Sequence, residues 1–348
     1  MMIRAGERSY VYAKACGIVG KSFVGRRISA LRPVTRLSEL DRLIFSGAAR
    51  ELPERELLPD LERRLLERSV KSIISIVNCF KNPPELLVRL LRVYEYSDLK
   101  TALALVNSGE NPLEKKFVFT GLGGFGSVKF GAFPDLSAML EGTEFAFLLD
   151  KKGRLRTDFD GSPPETILDN HYYRRLWESL LKLKKSDRRA AERIILEEIS
   201  LRNCSWVLRL RTYYGMRPEE LALHLIRPGE TKKPGAEGPG PFSAEIEDAL
   251  KLPLDSRGEW ERWRRAEFLN PEGVGPWRVD PRYFQNAASE YLYRLALRSF
   301  RRRPFSIDTA FCFIKLKQFE EDLLTSDAEG LGLGMSSKDV FGILEANL

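Results

Sequence analysis

Apolar residues recur at steps of three and four through long stretches of this chain, the period of a helix that turns one face to a core. From Asn82, a candidate N-cap followed by Pro83 and Pro84, come Leu87, Leu91, Tyr94, Asp98, Ala102 and Leu105, and the run stops near Gly109. Proline fits the first turn of a helix, so the pattern predicts a helix from about Pro83 to Val106 with an aspartate on its apolar stripe. A second run opens at Ser186-Asp187 and carries Ile195, Ile199, Asn203, Trp206, Leu210 and Tyr213, with an asparagine on the stripe. A third, with Ser306 as its cap, passes through Ala310, Phe313, Leu316, Phe319 and Leu323 and ends before Gly330.

These runs resemble one another, and other fragments recur in step with them. Asp169-Asn-His-Tyr-Tyr173 and Asp280-Pro-Arg-Tyr-Phe284 each open a helical segment, 111 residues apart, and the stripe positions Asp98, Asn203 and Leu323 are 105 and 120 apart. A short amphipathic piece appears at Leu37–Leu40, Leu136–Leu140 and Ser243–Ile246. The expectation is an all-α chain of three similar helical modules: residues 1–115, then 116–227 beginning with a glycine-rich insertion, then 228–348 beginning with a linker. Two segments depart from the helical pattern. Phe117-Val-Phe119, Gly121, Gly123, Gly124, Gly126, Val128 and Phe130 predict a short β-hairpin near 115–131, and the proline- and glycine-rich residues 228–241 predict a surface linker.

Composition narrows the function. A hydrophobic content of 43% over 348 residues fills globular cores, and the 30% of charged residues interleave both signs as on solvated helix faces. The net charge of +7 suits nucleic acid, an anionic membrane surface or an acidic protein, but no aromatics alternate with basic residues in a nucleic-acid-binding motif, so no nucleic-acid partner is expected. Four cysteines, Cys16, Cys79, Cys204 and Cys312, lie far apart, and only two histidines exist, so neither a metal site nor a disulfide framework is expected. No stretch of about 18 uncharged apolar residues offers a membrane span or an export signal.

Candidate chemistry is sparse. The cluster Gly121-Leu-Gly-Gly-Phe-Gly126 invites comparison with phosphate loops, but no Lys-Ser or Lys-Thr follows it and Ser127–Phe130 alternate like a strand, so a tight turn is expected and no cofactor. Glu197-Glu198 and Glu320-Glu321-Asp322 point in different directions from one helix and read as solvated faces. His171 has no partner in sequence that would make it a catalyst. Asp98 and Asn203 on apolar stripes need fixed hydrogen-bond partners if buried, either as structural residues that satisfy loops or helix ends or as residues facing a central cavity. Trp260 and Trp263, interleaved with arginines, are packing or partner-binding residues. Arg301, Arg302 and Arg303 end a helix before Pro304, where cations complement the carbonyl dipole or bind an acidic partner.

Several segments together resemble the V/A-type rotary ATPase family of C subunits, the counterparts of the eukaryotic d subunits. Tyr10-Val-Tyr-Ala-Lys14 is similar to its Tyr-x-x-Ala-Arg opening, and Tyr94-Glu-Tyr-Ser-Asp98-Leu-Lys100 to its Asp-x-x-Asn-Leu-Lys helix. Ser200-Leu-Arg-Asn203 is the middle copy, and Pro304-Phe-Ser-Ile307 with Ala310-Phe-Cys-Phe-Ile-Lys-Leu-Lys317-Gln-Phe-Glu320 is similar to the last. The chain departs from the pattern at Leu323-Leu-Thr325, Asp98 and Ser200. The resemblance implies a pseudo-threefold funnel, not an enzyme, present in one copy per complex on the cytoplasmic face of the membrane. Its implied partners are shaft subunits D and F and the membrane proteolipid ring, with no small-molecule substrate. The alternatives are an unrelated helical scaffold and a nucleotide-binding enzyme using residues 121–126.

Overall fold

A computed structural model describes residues 5–108, 117–156, 162–227, 243–273 and 275–340. Among the described residues the helical share is 68% and no strand is present, which bears out the all-α expectation. The α-helices are α1 (Ala5–Val19), α2 (Leu37–Ile44), α3 (Glu54–Val77), α4 (Glu85–Leu91), α5 (Val93–Asn107), α6 (Leu136–Leu140), α7 (Pro164–Leu181), α8 (Lys185–Tyr214), α9 (Pro218–Leu221), α10 (Ala244–Lys251), α11 (Pro281–Arg302) and α12 (Ile307–Gly332). The chain groups into two compact units. One comprises Met1–Pro83, Leu183–Met216 and Pro241–Leu348, the other Pro84–Lys182 and Arg217–Gly240.

In the first unit α12 is the central element. Every residue from Ile307 to Lys317 is buried, because α1, α2, α3, α8 and α11 all pack against this helix, and a helix surrounded on all sides must be apolar all round or bring its own ion partners. Ala310-Phe-Cys-Phe-Ile314 supplies the apolar part, with Phe311 and Phe313 wholly buried. Each buried phenylalanine contributes about 1.5–3 kcal/mol. Toward its C-terminus Leu324, Ala328 and Leu331 join Leu57, Leu61 and Leu65 of α3 and the segment Phe23–Leu40 in one core. Beneath α2, buried Asp41 accepts from Arg50 N at 2.7 Å and from Arg64 of α3 at 2.7 Å, while the Arg64 guanidinium lies 4.0 Å over the Phe45 ring.

In the second unit α4 and α5 pack against α7. The single helix expected from Pro83 to Val106 is two, parted at Arg92, and its stripe residues Leu87, Leu91, Tyr94, Asp98 and Ala102 are buried. Tyr96 meets Phe145 and Tyr172 edge to face at 4.9 and 5.2 Å. Burial works against ionising Glu144, yet Arg89, Arg92 and Arg175 surround it and hold its carboxyl below the usual range.

The β-hairpin expected near 115–131 is absent among the described residues. Gly123–Phe125 and Phe130–Ala132 are single 3₁₀ turns, and the segment is held by side chains of α5 and of Arg92 just before it instead of by a partner strand. Thr120 N donates to Asp98 Oδ2 at 2.5 Å, Val128 N and Ser127 N donate to Glu95, and Arg92 Nε donates to Phe125 O at 2.7 Å. With its donors satisfied in this way, the loop has no need of a ladder. The linker expected at 228–241 lies outside the described residues. Ser306 does stand at the start of α12, but its hydroxyl donates to Arg303 O at 2.8 Å and caps no helical N–H. The α8 stripe also leaves the core along its length: Ile195, Ile199, Asn203 and Leu210 are buried, while Trp206 and Tyr213 are exposed.

Asp98 provides a measurable consequence. Burial pushes its carboxyl up to about 6 in spite of the hydrogen bonds from Thr120. An unfolded chain holds that proton only up to about pH 4, so between the two values the folded protein binds more protons and stability falls as pH rises through the window. Asp98→Asn removes this dependence. The stability of the Asn variant relative to the native chain should rise by about 2–3 kcal/mol from pH 4 to 7 and then level off, as read from urea unfolding at a series of pH values. A difference that stays flat across that range would show that Asp98 is not held in this way.

Candidate partner-docking surfaces

Asp98 and Asn203, marked by their place on apolar stripes, are both buried. Asp98 satisfies the backbone of the loop at Thr120, as described above. One turn before each stripe position lies a residue whose role sequence reasoning missed. Glu95 holds Ser127 N and Val128 N, Ser200 Oγ donates to Glu245 of α10 at 3.0 Å, and Glu320 accepts from Phe23 N at 2.8 Å. The signal was available: Glu95, Ser200 and Glu320 stand three residues before Asp98, Asn203 and Leu323.

Trp260 and Trp263, read from the sequence as packing or partner-binding residues, are core residues, which corrects the partner-binding alternative. They are 0% and 3% exposed and meet edge to face at 4.9 Å. Their N–H groups donate to Pro253 O at 2.6 Å and Glu245 O at 2.9 Å, which is how two indoles can be buried without an unsatisfied donor. The arginine beside them, Arg265, is buried between Glu245 and Glu197.

The three arginines at the end of α11 divide into two kinds. Arg303 is used internally: its guanidinium donates to Ser186 O at 3.0 Å and lies 3.8 Å from Asp308, which is wholly buried and also accepts from Ala190 N and Ala191 N. Burial raises the Asp308 carboxyl, against the pull of those donors and of Arg303. The first turns of α8 and α12 are joined at this point. Arg301 and Arg302 are exposed and form no ion pair among the described residues. Next to them Phe305 is half exposed with a φ of 64°, and its ring meets Tyr12 at 5.3 Å, while Tyr12 also meets Phe300 at 6.1 Å.

A groove of about 360 Å³ runs between α8, α11 and α12 in the first unit. Glu198, Arg202, Trp206 and Arg209 line it from α8, Ser289 and Leu292 from α11, and Lys315, Phe319 and Asp322 from α12. Lys315 is buried in the wall and pairs with Glu198 at 2.6 Å. Asp322 is exposed and opens onto the groove. The acidic runs 197–198 and 320–322 are therefore not simple solvated faces: Glu197, Glu198 and Glu320 all hold internal partners. A second, polar stripe at 198, 202, 205 and 209 was the sequence signal for this groove, masked by the apolar stripe beside it.

The glycine-rich loop does not form a phosphate cradle. The backbone N–H groups of Ser127 and Val128 converge on an anion, but that anion is the Glu95 carboxylate of the same chain. His171 is buried, its Nδ1 lies 2.7 Å from Tyr96 Oη, and burial lowers it to about 4, so it is neutral. Among the described residues no group of histidine, cysteine, aspartate or glutamate could hold a metal ion, and no helix is long and apolar enough to cross a membrane.

The two kinds of arginine separate by mutation. Arg303→Gln leaves the Asp308 charge buried without its cation and should cost about 1–3 kcal/mol, the lower end applying because Arg303 is partly screened by water. Arg301→Gln with Arg302→Gln should leave the melting temperature within a degree or two, since exposed substitutions change stability by roughly 0.5 kcal/mol or less. Thermal unfolding of the two proteins side by side checks this, and equal losses would remove the distinction.

Comparison with known proteins bears on both units at once. The family model described as ATP synthase (C/AC39) subunit matches residues 47–340. An uncharacterized protein of Treponema pallidum (strain Nichols) is 29% identical over 327 residues, 93% of this chain and 92% of that protein. A match that runs from α3 to beyond α12 takes in almost every element described above, and the chain therefore belongs to the ATP synthase (C/AC39) subunit family, the stalk subunits of V/A-type ATPases.

Proposed function

We propose that this chain is the non-catalytic connector of a rotary V/A-type ATPase, coupling shaft subunits D and F to the membrane proteolipid ring from the cytoplasmic face, in one copy per complex. The observation that carries this reading is the family match over residues 47–340. The three-module organisation is part of the reading, supported by the grip that Glu95, Ser200 and Glu320 repeat on three long helices. A non-catalytic role is supported by where the ionisable groups are spent: Glu95, Glu144, Glu245 and Glu320 all answer donors of their own chain. Nothing favours nucleotide binding, because the loop that would cradle a phosphate already holds Glu95.

Within this reading the groove between α8, α11 and α12 is the seat for the end of the shaft. It mixes apolar anchors, Trp206 and Phe319, with charges of both signs, Arg202, Arg209, Glu198 and Asp322, the composition expected of an interface that must bind and still assemble reversibly. Tryptophan and arginine carry a disproportionate share of interface energy. Trp206→Ala with Arg209→Ala should weaken capture of the organism's own D–F pair roughly 30-fold or more, each truncation costing about 1–2 kcal/mol, with melting unchanged. Titration calorimetry with the purified pair reads this. A well-folded native chain that captures neither shaft nor ring would remove the connector reading, whereas normal capture by the double variant would remove only the groove as the seat.

A further inference from the structure

The surface at the α8–α12 joint is more cationic than the joint requires. Arg303 joins the end of α11 to the start of α8 through Ser186 O at 3.0 Å, which brings together the two segments that carry Lys184 and Lys185 and Arg301 and Arg302. All four of those side chains are exposed, and neither 183–186 nor 301–305 contains an acid. The carboxylates nearest the joint are already answered: Asp187 pairs with Arg8 at 3.0 Å, and Asp308 is buried under Arg303.

Phe305 stands in the same place. Arg303, before Pro304, has left the helical region with φ −132° and ψ 65°, and Phe305 then takes a φ of 64°, the only positive value outside glycine among the described residues. The ring is half exposed with one edge braced on Tyr12, so an apolar group is presented among cations instead of turned into the core next to it.

We propose that Lys184, Lys185, Arg301, Arg302 and Phe305 form a docking surface for an anionic phospholipid bilayer, with the four cations at the headgroups and the Phe305 ring entering the interface. A lipid surface fits better than an acidic protein because the cations are on long side chains with no fixed geometry around them, and one apolar group projects among them. Diffuse negative charge recruits such cations additively, and a single aromatic ring finds its apolar surroundings at the headgroup boundary. A protein hot spot would instead need an enclosed pocket. The inference goes beyond the connector reading, and its test uses neither shaft nor ring, so each can fail alone.

The test is flotation of the full chain with phosphatidylcholine vesicles, with and without roughly 30% phosphatidylserine, at low and at physiological salt. Binding should require the anionic lipid and fall with salt. Arg301→Gln with Arg302→Gln should weaken it roughly 25-fold, 5-fold per cation at about 1 kcal/mol each, with the melting temperature unchanged. Phe305→Asn, which tolerates the left-handed backbone, should weaken binding several-fold and leave what remains more sensitive to salt. Lys151→Gln with Lys152→Gln removes the same charge from an exposed site in the other unit and should have no effect. If the arginine variant unfolds, Lys184→Gln with Lys185→Gln carries the same expectation. Absence of binding at low salt, equal binding to neutral vesicles, equal loss in the Lys151 and Lys152 control, or capture by a polyglutamate resin with none by vesicles would each overturn the proposal.

Discussion

Asp41, Glu95, Glu245 and Glu320 are each about 5% exposed or less, and a carboxylate so enclosed must either find donors inside the protein or give up its charge. Each finds donors, and in every case a donor comes from a different segment: Arg50 N and Arg64 for Asp41, Ser127 N and Val128 N for Glu95, Ser200 and Arg265 for Glu245, Phe23 N and Arg68 for Glu320. The loops that enter and leave the helices are fixed by these contacts together with their own buried apolar side chains, such as Phe23, Leu31, Phe145 and Trp260. Asp98 and Asp327 are cases in which burial outweighs the donors, and each keeps its proton well above the ordinary carboxylate range.

The same constraint explains which parts of the fold could be read from the sequence. The long helices announced themselves, because Leu87 to Ala102 and Ile195 to Asn203 hold their spacing, and these stripe positions are buried. The glycine-rich segment did not. Val128 and Phe130 alternate as in a strand, and only the position of Glu95 on α5 takes away the donors a strand would have used. Trp260 and Trp263 stayed open between packing and partner binding for a related reason: arginines interleaved with tryptophans look like an interface, yet Arg265 pairs with Glu245 and Glu197 inside the protein and both indoles are buried. Partners that come from distant parts of the chain leave no mark in local spacing.

Arg301, Arg302 and Arg303 show how finely position divides one residue type. Three consecutive residues at a helix end point in different directions, so only Arg303 reaches Ser186 and Asp308, and its neighbours are left to solvent. A run of like charge is therefore neither all helix-capping nor all docking. One member fixes the backbone that displays the other two, and the same proline that stops α11 also turns Phe305 outward.

On the connector reading, α12 is the element with most to resist. Apolar contacts alone allow one helix to slide along another, because a leucine can exchange one groove for the next at little cost, whereas a buried ion pair has a single register. Three ion contacts in which the α12 member is buried are spread along α12: Asp308 with Arg303 before its first turn, Lys315 with Glu198 of α8, and Glu320 with Arg68 of α3. Between Asp308 and Glu320 the helix rises about 18 Å, so the contacts act at separate heights and toward different neighbours. A load that twisted or drew α12 would have to expose or separate buried charges at every level together. That makes the polar interior, which adds little to stability for the cost of burying it, the part of the structure best suited to carrying torque without slip.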